Sequence, residues 1–202
     1  MTQVLMRVDA APGVGLGHLQ RCLALASALH QVHISCVFLT NGEDSITERV
    51  RRFGFDARAF DEGDPGSESD WRQVLDLAAA EECDAVVVDS YLVDDHYLSG
   101  LRAAGMLVAA IDDLARFPFP CHLVVSGGVG AESLPYHSST GDTRFLLGPK
   151  YALLRKEFWQ VAPRRNESEV REVLVTMGGA DGPNLTPVVL RVLGGGSLRT
   201  NF

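Results

Sequence analysis

Cysteine is scarce. The 202 residues hold four, Cys22, Cys36, Cys83 and Cys121. No two stand at C-x-x-C spacing, so zinc ribbons and redox pairs lack their ligands. Each lies in an apolar run, where a free thiol behaves as a small hydrophobe suited to a reducing compartment. Positive charge is also short: 18 Lys and Arg face 26 Asp and Glu, a net charge of −8. Neutralising phosphates takes a basic face, so no nucleic-acid partner is expected. No apolar run reaches the roughly 18–20 residues of a membrane span. The opening "MTQVLMRVDA" lacks the basic, apolar, small-residue order of a signal peptide. These absences predict a cytoplasmic protein with no membrane partner.

Several catalytic signatures are missing too. A dinucleotide fingerprint, G-x-G-x-x-G, fails from Gly15, where Gln20 holds the third glycine place, and from Gly13, where His18 does. The Walker pattern G-x-x-x-x-G-K-[ST] fails as well. There is no G-x-S-x-G elbow, and Ser126 in "VVSGG" lacks that setting. His30, His33, His96, His122 and His137 are scattered without ligand spacing.

What is present is an alternation of apolar runs. "VLMRVDA", "HISCVFL", "FDARAF", "DAVVVDSY", "MLVAAIDDL" and "CHLVVSGG" read as strands. The run Ala85–Val88 is continuously apolar, as in a strand buried on both faces. Between the strands lie helical patterns. One starts at His18, "DSITERVRRFG" closes at Gly54, "WRQVLDLAAAEEC" follows, and "DDHYLSGLRAAG" is capped by Asp94 or Asp95 and stopped by Gly105. Strand and helix in turn mean a parallel sheet covered on both sides, an α/β Rossmann-like fold.

The rhythm breaks after "RFLLGPKYALLRKEF". Gly148-Pro149 ends a strand, a short helical piece follows, and then a Pro/Arg/Asn/Glu-rich linker. "VREVLVTMGGADGPNLTPVVLRVL" repeats the opening logic of strand, glycine loop and helix. The expected organisation is a Rossmann-like domain over 1–148, a linker over 149–169, and the first βα unit of an incomplete second domain over 170–202. One strand and one helix cannot bury a core. The chain therefore reads as a truncated two-domain protein.

The loop "APGVGLGH" follows the first strand, on the edge where parallel sheets bind ligands. Gly13, Gly15 and Gly17 let a ligand approach the backbone, and the helix start adds free N–H groups and partial positive charge. That charge disfavours an imidazolium at His18, so a neutral ring able to take a proton is expected there. The alternative is a helix-start histidine bonded to a nearby carbonyl. Arg21 lies one turn on, near the same face, with a carboxylate, a phosphate or a structural ion pair as its partner. Asp89 and Tyr91 end the fourth strand; they either serve a ligand or cap and pack. Asp112 and Asp113 end the next strand. Adjacent strand residues point opposite ways, so a shared metal ion is not expected. Gly178, Gly179 and Asp181 form a second glycine loop, read as a phosphate contact or as a turn with Asp181 or Asn184 capping the next helix.

Five blocks, in order, carry a family resemblance. "RVDAAPGVGLGHLQRCLALASAL" matches R-x-D, a gap, then G-x-G-H-x-x-R-C-L-x-L-A. "VVVDSYLVDDHYLSGL", "IDDL", "LGPKYALLRKEF" and "VLVTMGGADGPN" follow it. The chain resembles the UDP-2,4-diacetamido-2,4,6-trideoxy-β-L-altropyranose hydrolases of pseudaminic acid biosynthesis. These are related to spore-coat polysaccharide proteins described as glycosyltransferase-like. The resemblance implies a GT-B-like fold of two Rossmann-like domains with the site between them. It implies hydrolysis of a UDP-sugar to UDP and free sugar, without metal or other cofactor and with inversion. It implies that His18 activates the water and that Tyr91 is a second catalytic residue. Gly15, Gly17, Arg21, Asp89, Asp113, Gly178, Gly179 and Asp181 are the candidate substrate contacts, with the alternatives given above still open. The full-length protein is expected to be a monomer. One departure stands out: Ser126-Gly127-Gly128 occupies a place where the family carries an asparagine. Two other readings stay open, a UDP-sugar glycosyltransferase of the same fold and a non-catalytic remnant that binds a sugar nucleotide.

Overall fold

The first strand shows how the sheet is made. In Gln3–Val8 (β1) every residue from Val4 to Val8 is buried. Side chains alternate between faces. Val4, Met6 and Val8 enter one core with Leu19, Cys22, Leu23 and Ala26 of the first helix, whereas Leu5 enters the opposite core. Burial on both faces explains why the run is almost unbroken in apolar residues. Arg7 breaks it and is nonetheless fully buried.

The computed structural model describes residues 2–10, 16–41, 43–60, 63–162, 170, 173–177, 181 and 183–194. After β1 come α1 (Gly17–Gln31), β2 (Ser35–Thr40), α2 (Asp44–Arg52), β3 (Asp56–Ala59), α3 (Glu68–Ala80), β4 (Ala85–Asp89), α4 (Asp95–Ala103), β5 (Leu107–Ile111), β6 (Leu123–Ser126), β7 (Arg144–Leu147) and α5 (Thr186–Gly194). Strands β1 to β7 form one sheet in the order β3-β2-β1-β4-β5-β6-β7. Every neighbouring pair is parallel. Helices α1 and α2 pack on one face, and α3 and α4 on the other. This is the doubly wound α/β architecture expected from the alternation. Its strand order reverses between β1 and β4, and ligands of such sheets bind beyond the strand ends at that reversal.

Local signals account for the helix ends. The side chain of Asp94 caps α4 by accepting from the Tyr97 N–H at 2.8 Å. Gly105 stops that helix at φ +88°, and Gly54 follows α2 at φ +89°, a left-handed conformation that glycine enters at little cost. The helical piece expected after β7 is two short 3-10 turns, Pro149–Tyr151 and Lys156–Phe158. Pro149 pre-sets the first turn but supplies no donor to lengthen it.

The chain divides into two compact units, residues 1–159 and 160–202. In the second, the described residues 173–177 have no regular structure, although a strand was expected over that stretch. Helix α5 of this unit forms, and Asp181 precedes it, accepting the N–H groups of Leu185 and Thr186 at 2.7 and 2.8 Å. The Thr186 side chain, and after it these two N–H groups, hold the Asp181 carboxyl below the usual range.

Candidate functional site

The reversal between β1 and β4 brings α1 against the end of β4. His18 is the second residue of α1, and no side chain caps that helix at Leu16. Its ring is buried, and Nδ1 lies 2.5 Å from Oδ1 of Asp89, the last residue of β4. Asp89 is itself fully buried. Arg21, one helical turn beyond His18, grips the same carboxylate from Nε and Nη2, each at 2.6 Å. Its third nitrogen reaches Asp113 Oδ2, also at 2.6 Å. Tyr91 donates its hydroxyl to that Asp113 oxygen at 2.9 Å. The Tyr91 and His18 rings meet edge to face with centroids 4.5 Å apart.

The geometry fixes the tautomer. A carboxylate oxygen 2.5 Å from a ring nitrogen needs a proton between them, so Nδ1 carries the hydrogen and donates it to Asp89. Arg21 Nη2, 3.2 Å from the same nitrogen, is then a neighbour rather than a donor to it. In the neutral ring Nε2 holds the free lone pair, and among the described residues nothing bonds it. This is the orienting geometry of a histidine general base, with a carboxylate behind the ring.

Electrostatics hold the cluster together. Burial pushes the Asp89 carboxyl up, but hydrogen bonds from Arg21 and His18 outweigh it and leave the group below its ordinary range. Arg21 is partly desolvated, which weakens its charge; its bonds to Asp89 and Asp113 more than compensate and fix the cation. Burial and the bond to Asp113 both raise the Tyr91 phenol, which stays a donor at neutral pH. The Cys22 thiol, 3.5 Å from Asp89, is pushed well up by burial and then by that carboxylate, so it is no nucleophile.

Five residues singled out from the sequence thus converge: His18, Arg21, Asp89, Tyr91 and Asp113. Gly17 opens α1 beside them; a Cβ there would meet nothing within 4 Å. Gly15, Gly178 and Gly179 lie outside the described residues. Asp112 turns away from Asp113. It accepts the N–H groups of Leu114 and Ala115 and the Tyr136 hydroxyl. It caps the turn after β5, and among the described residues the two carboxylates share no hydrogen-bond partner.

Sequence reasoning missed a second charged cluster just beneath. Arg7 pairs with Asp9 and Asp70. Tyr97 donates to Asp70 at 2.6 Å, as does the Gly66 N–H. The sequence signals were Arg7, a cation inside an apolar strand, and its place with Asp9 in the R-x-D motif; nothing in the sequence pointed to Asp70.

No family model matches the chain. An uncharacterized protein of Methanocaldococcus jannaschii is 25% identical over 203 residues, which cover 95% of this chain and 40% of its own length. The UDP-2,4-diacetamido-2,4,6-trideoxy-beta-L-altropyranose hydrolase of Campylobacter jejuni is 27% identical over 187 residues, 91% of this chain and 63% of its own. The resemblance seen in the motif blocks therefore extends over most of the chain, while the chain spans only part of these relatives. Among solved structures, Acinetobacter baumannii MurG overlaps 62% of this chain and 41% of its own at a TM-score of 0.48 and 17% identity. Staphylococcus aureus MnaA, solved with UDP, overlaps 63% and 38% at a TM-score of 0.44 and 14% identity.

Proposed function

We propose that this chain carries the catalytic half of a UDP-sugar hydrolase with a GT-B-like fold, its second domain begun within 170–202. The observation that carries the reading is the His18–Asp89 pair, a buried carboxylate orienting a histidine at the reversal point of a parallel sheet. The similarity to the Campylobacter hydrolase supplies the substrate class, a UDP-activated diacetamido-trideoxy sugar.

In the proposed reaction a water molecule gives a proton to His18 Nε2 as its oxygen attacks the anomeric carbon. The bond from that carbon to the diphosphate oxygen breaks, and UDP leaves with the electron pair. Configuration inverts. Asp89 holds the ring by its Nδ1–H and stabilises the imidazolium that forms, in the manner of a catalytic triad. Arg21 fixes Asp89 and Asp113 together and so sets the ring indirectly. Tyr91, half exposed against the ring edge, is the group that meets the sugar or the water. Gly15 and Gly17 give the ligand room. Gly178 and Gly179 are proposed to face the diphosphate through backbone N–H groups. Asp181 accepts the N–H groups at the start of α5. No metal or cofactor takes part in this scheme.

The test uses the longest chain that contains this sequence. It is incubated with the UDP-activated diacetamido sugar and no acceptor, and UDP and free sugar are followed by chromatography. Equal release of the two supports hydrolysis. Turnover that appears only on adding a sugar acceptor replaces hydrolysis by transfer. No turnover with either, alongside measurable UDP-sugar binding, replaces both by a binding role.

A further inference from the structure

Beneath the His18 cluster lies the fully buried Arg7, and its partners form a continuous path to the site. Its guanidinium pairs with Asp9 on one side and Asp70 on the other, and it sits 5.1 Å above the Phe60 ring. Asp9 directly follows the residues of β1 and is buried. Its carboxylate also accepts from Asn41 at 3.2 Å and from the Ser90 hydroxyl. Ser90 Oγ in turn accepts the Leu92 N–H at 3.0 Å. The Asp9 N–H donates to the backbone oxygen of Asp89 at 3.1 Å. The segment Asp89-Ser90-Tyr91-Leu92 is therefore pinned to Asp9 at two points, and Asp9 is pinned to Arg7.

The other arm of the cluster reaches the same segment. Asp70, in the first turn of α3, accepts from Arg7, from the Tyr97 hydroxyl and from the Gly66 N–H. Gly66 has φ +82°, and a Cβ built there would stand 2.1 Å from the Leu92 carbonyl oxygen. The loop before α3 is thus held directly against Leu92. One cation, through two carboxylates, fixes both sides of the turn that carries Asp89 and Tyr91.

We infer that Arg7, with Asp9, Asp70 and Ser90, is a positioning device for the His18 site. It sets the Asp89–Leu92 turn, so that Asp89 meets His18 Nδ1 and Tyr91 meets the ring edge. This rests on the reading of His18 as the working base, but its geometric part is measurable without substrate. Arg7 touches no ligand in this account and acts only through Asp9, Ser90 and Asp70. Ser90 is the sharpest handle, because its hydroxyl is the link between Asp9 and the Leu92 N–H.

The experiment follows the hydrogen-bonded imidazole N–H of His18 by proton and nitrogen NMR, assigned by its loss in His18→Gln. Wild type is compared with Ser90→Ala, Tyr97→Phe and Arg7→Lys, and each fold is checked by circular dichroism. The inference expects all three variants to move or broaden the His18 N–H signal, Ser90→Ala more than Tyr97→Phe, with the overall fold kept. In the active protein Ser90→Ala is expected to lower kcat about tenfold at little change in KM, since small misplacements of reacting groups cost rate steeply. Asp89→Asn is the positive control for the signal. Folded Ser90→Ala and Tyr97→Phe with an unaltered His18 signal would overturn the inference, whatever happens to Arg7→Lys. A shifted signal in a protein that turns over no UDP-sugar keeps the positioning device and removes only the hydrolase reading.

Discussion

Two arginines in this protein sit between two aspartates, and they differ in what surrounds them. Arg7 lies between Asp9 and Asp70, and all three are essentially sealed from solvent. Arg21 lies between Asp89 and Asp113, with its side chain 21% exposed and that of Asp113 33% exposed. The first cluster is closed by protein on every side: the Tyr97 hydroxyl, the Gly66 N–H and the Phe60 ring complete it. The second opens past Tyr91, a residue 39% exposed, and it includes a histidine with one nitrogen left over. The same ionic chemistry therefore holds a scaffold where it is enclosed and forms a candidate reaction centre where one side faces out.

The comparison predicts a ranked series of effects. The largest is Arg7→Met. It leaves Asp9 and Asp70 buried without their cation, and removing one partner of a buried ionic cluster costs about 3–5 kcal/mol. Urea denaturation should show that loss, and an unchanged midpoint would refute the role of the sealed cluster. Next comes Asp89→Asn. It removes the carboxylate that fixes the His18 tautomer and should lower turnover by about 100-fold or more, as the same change does in a triad, while the protein still folds. Arg21→Gln should be milder in stability than Arg7→Met, because partial exposure screens the pair. Its kcat should fall more than its denaturation midpoint does; the reverse ranking would collapse the distinction between the two clusters. Smaller again is the acid dependence. The Asp89 carboxyl is held below its ordinary value by Arg21 and His18 against the opposing effect of burial. Its contribution is therefore complete above the unfolded value of about 4 and is lost as pH falls through the lower folded value. The stability gap between wild type and Asp89→Asn should narrow as pH is lowered below about 4. A gap that widens in acid would contradict the assignment. The smallest effect belongs to the surface pair Arg102–Asp142, where Asp142→Asn should leave the thermal midpoint unchanged.

How much of this was legible in the sequence follows from what is local and what is not. The strands and helices were, because a run such as Ala85–Val88 and the cap at Asp94 announce themselves within a few residues. The convergence of His18, Arg21, Asp89, Tyr91 and Asp113 was legible in outline, since each follows a parallel strand on the ligand-binding edge. Which carboxylate meets which cation was not. Arg21 and Asp113 are 92 positions apart, and only the strand order brings them together. Arg7 and Asp70 are 63 apart. Asp70 lies just before the helical pattern "WRQVLDLAAAEEC" and was not singled out, and Ser90 drew no notice between two better candidates. The expected strand over 173–177 went astray for the opposite reason. Its residues favour a strand, but that preference is local, and a strand forms only where a neighbouring strand pairs with it.

The proposed role of His18, held by Asp89, is that of the base. The most direct measurement is the rate of UDP and free-sugar release by His18→Ala and by wild type, at matched folding and saturating UDP-sugar. The account predicts a fall of about 100- to 10,000-fold, the usual contribution of a positioned acid or base, with substrate still bound. Turnover by His18→Ala equal to that of wild type would contradict it.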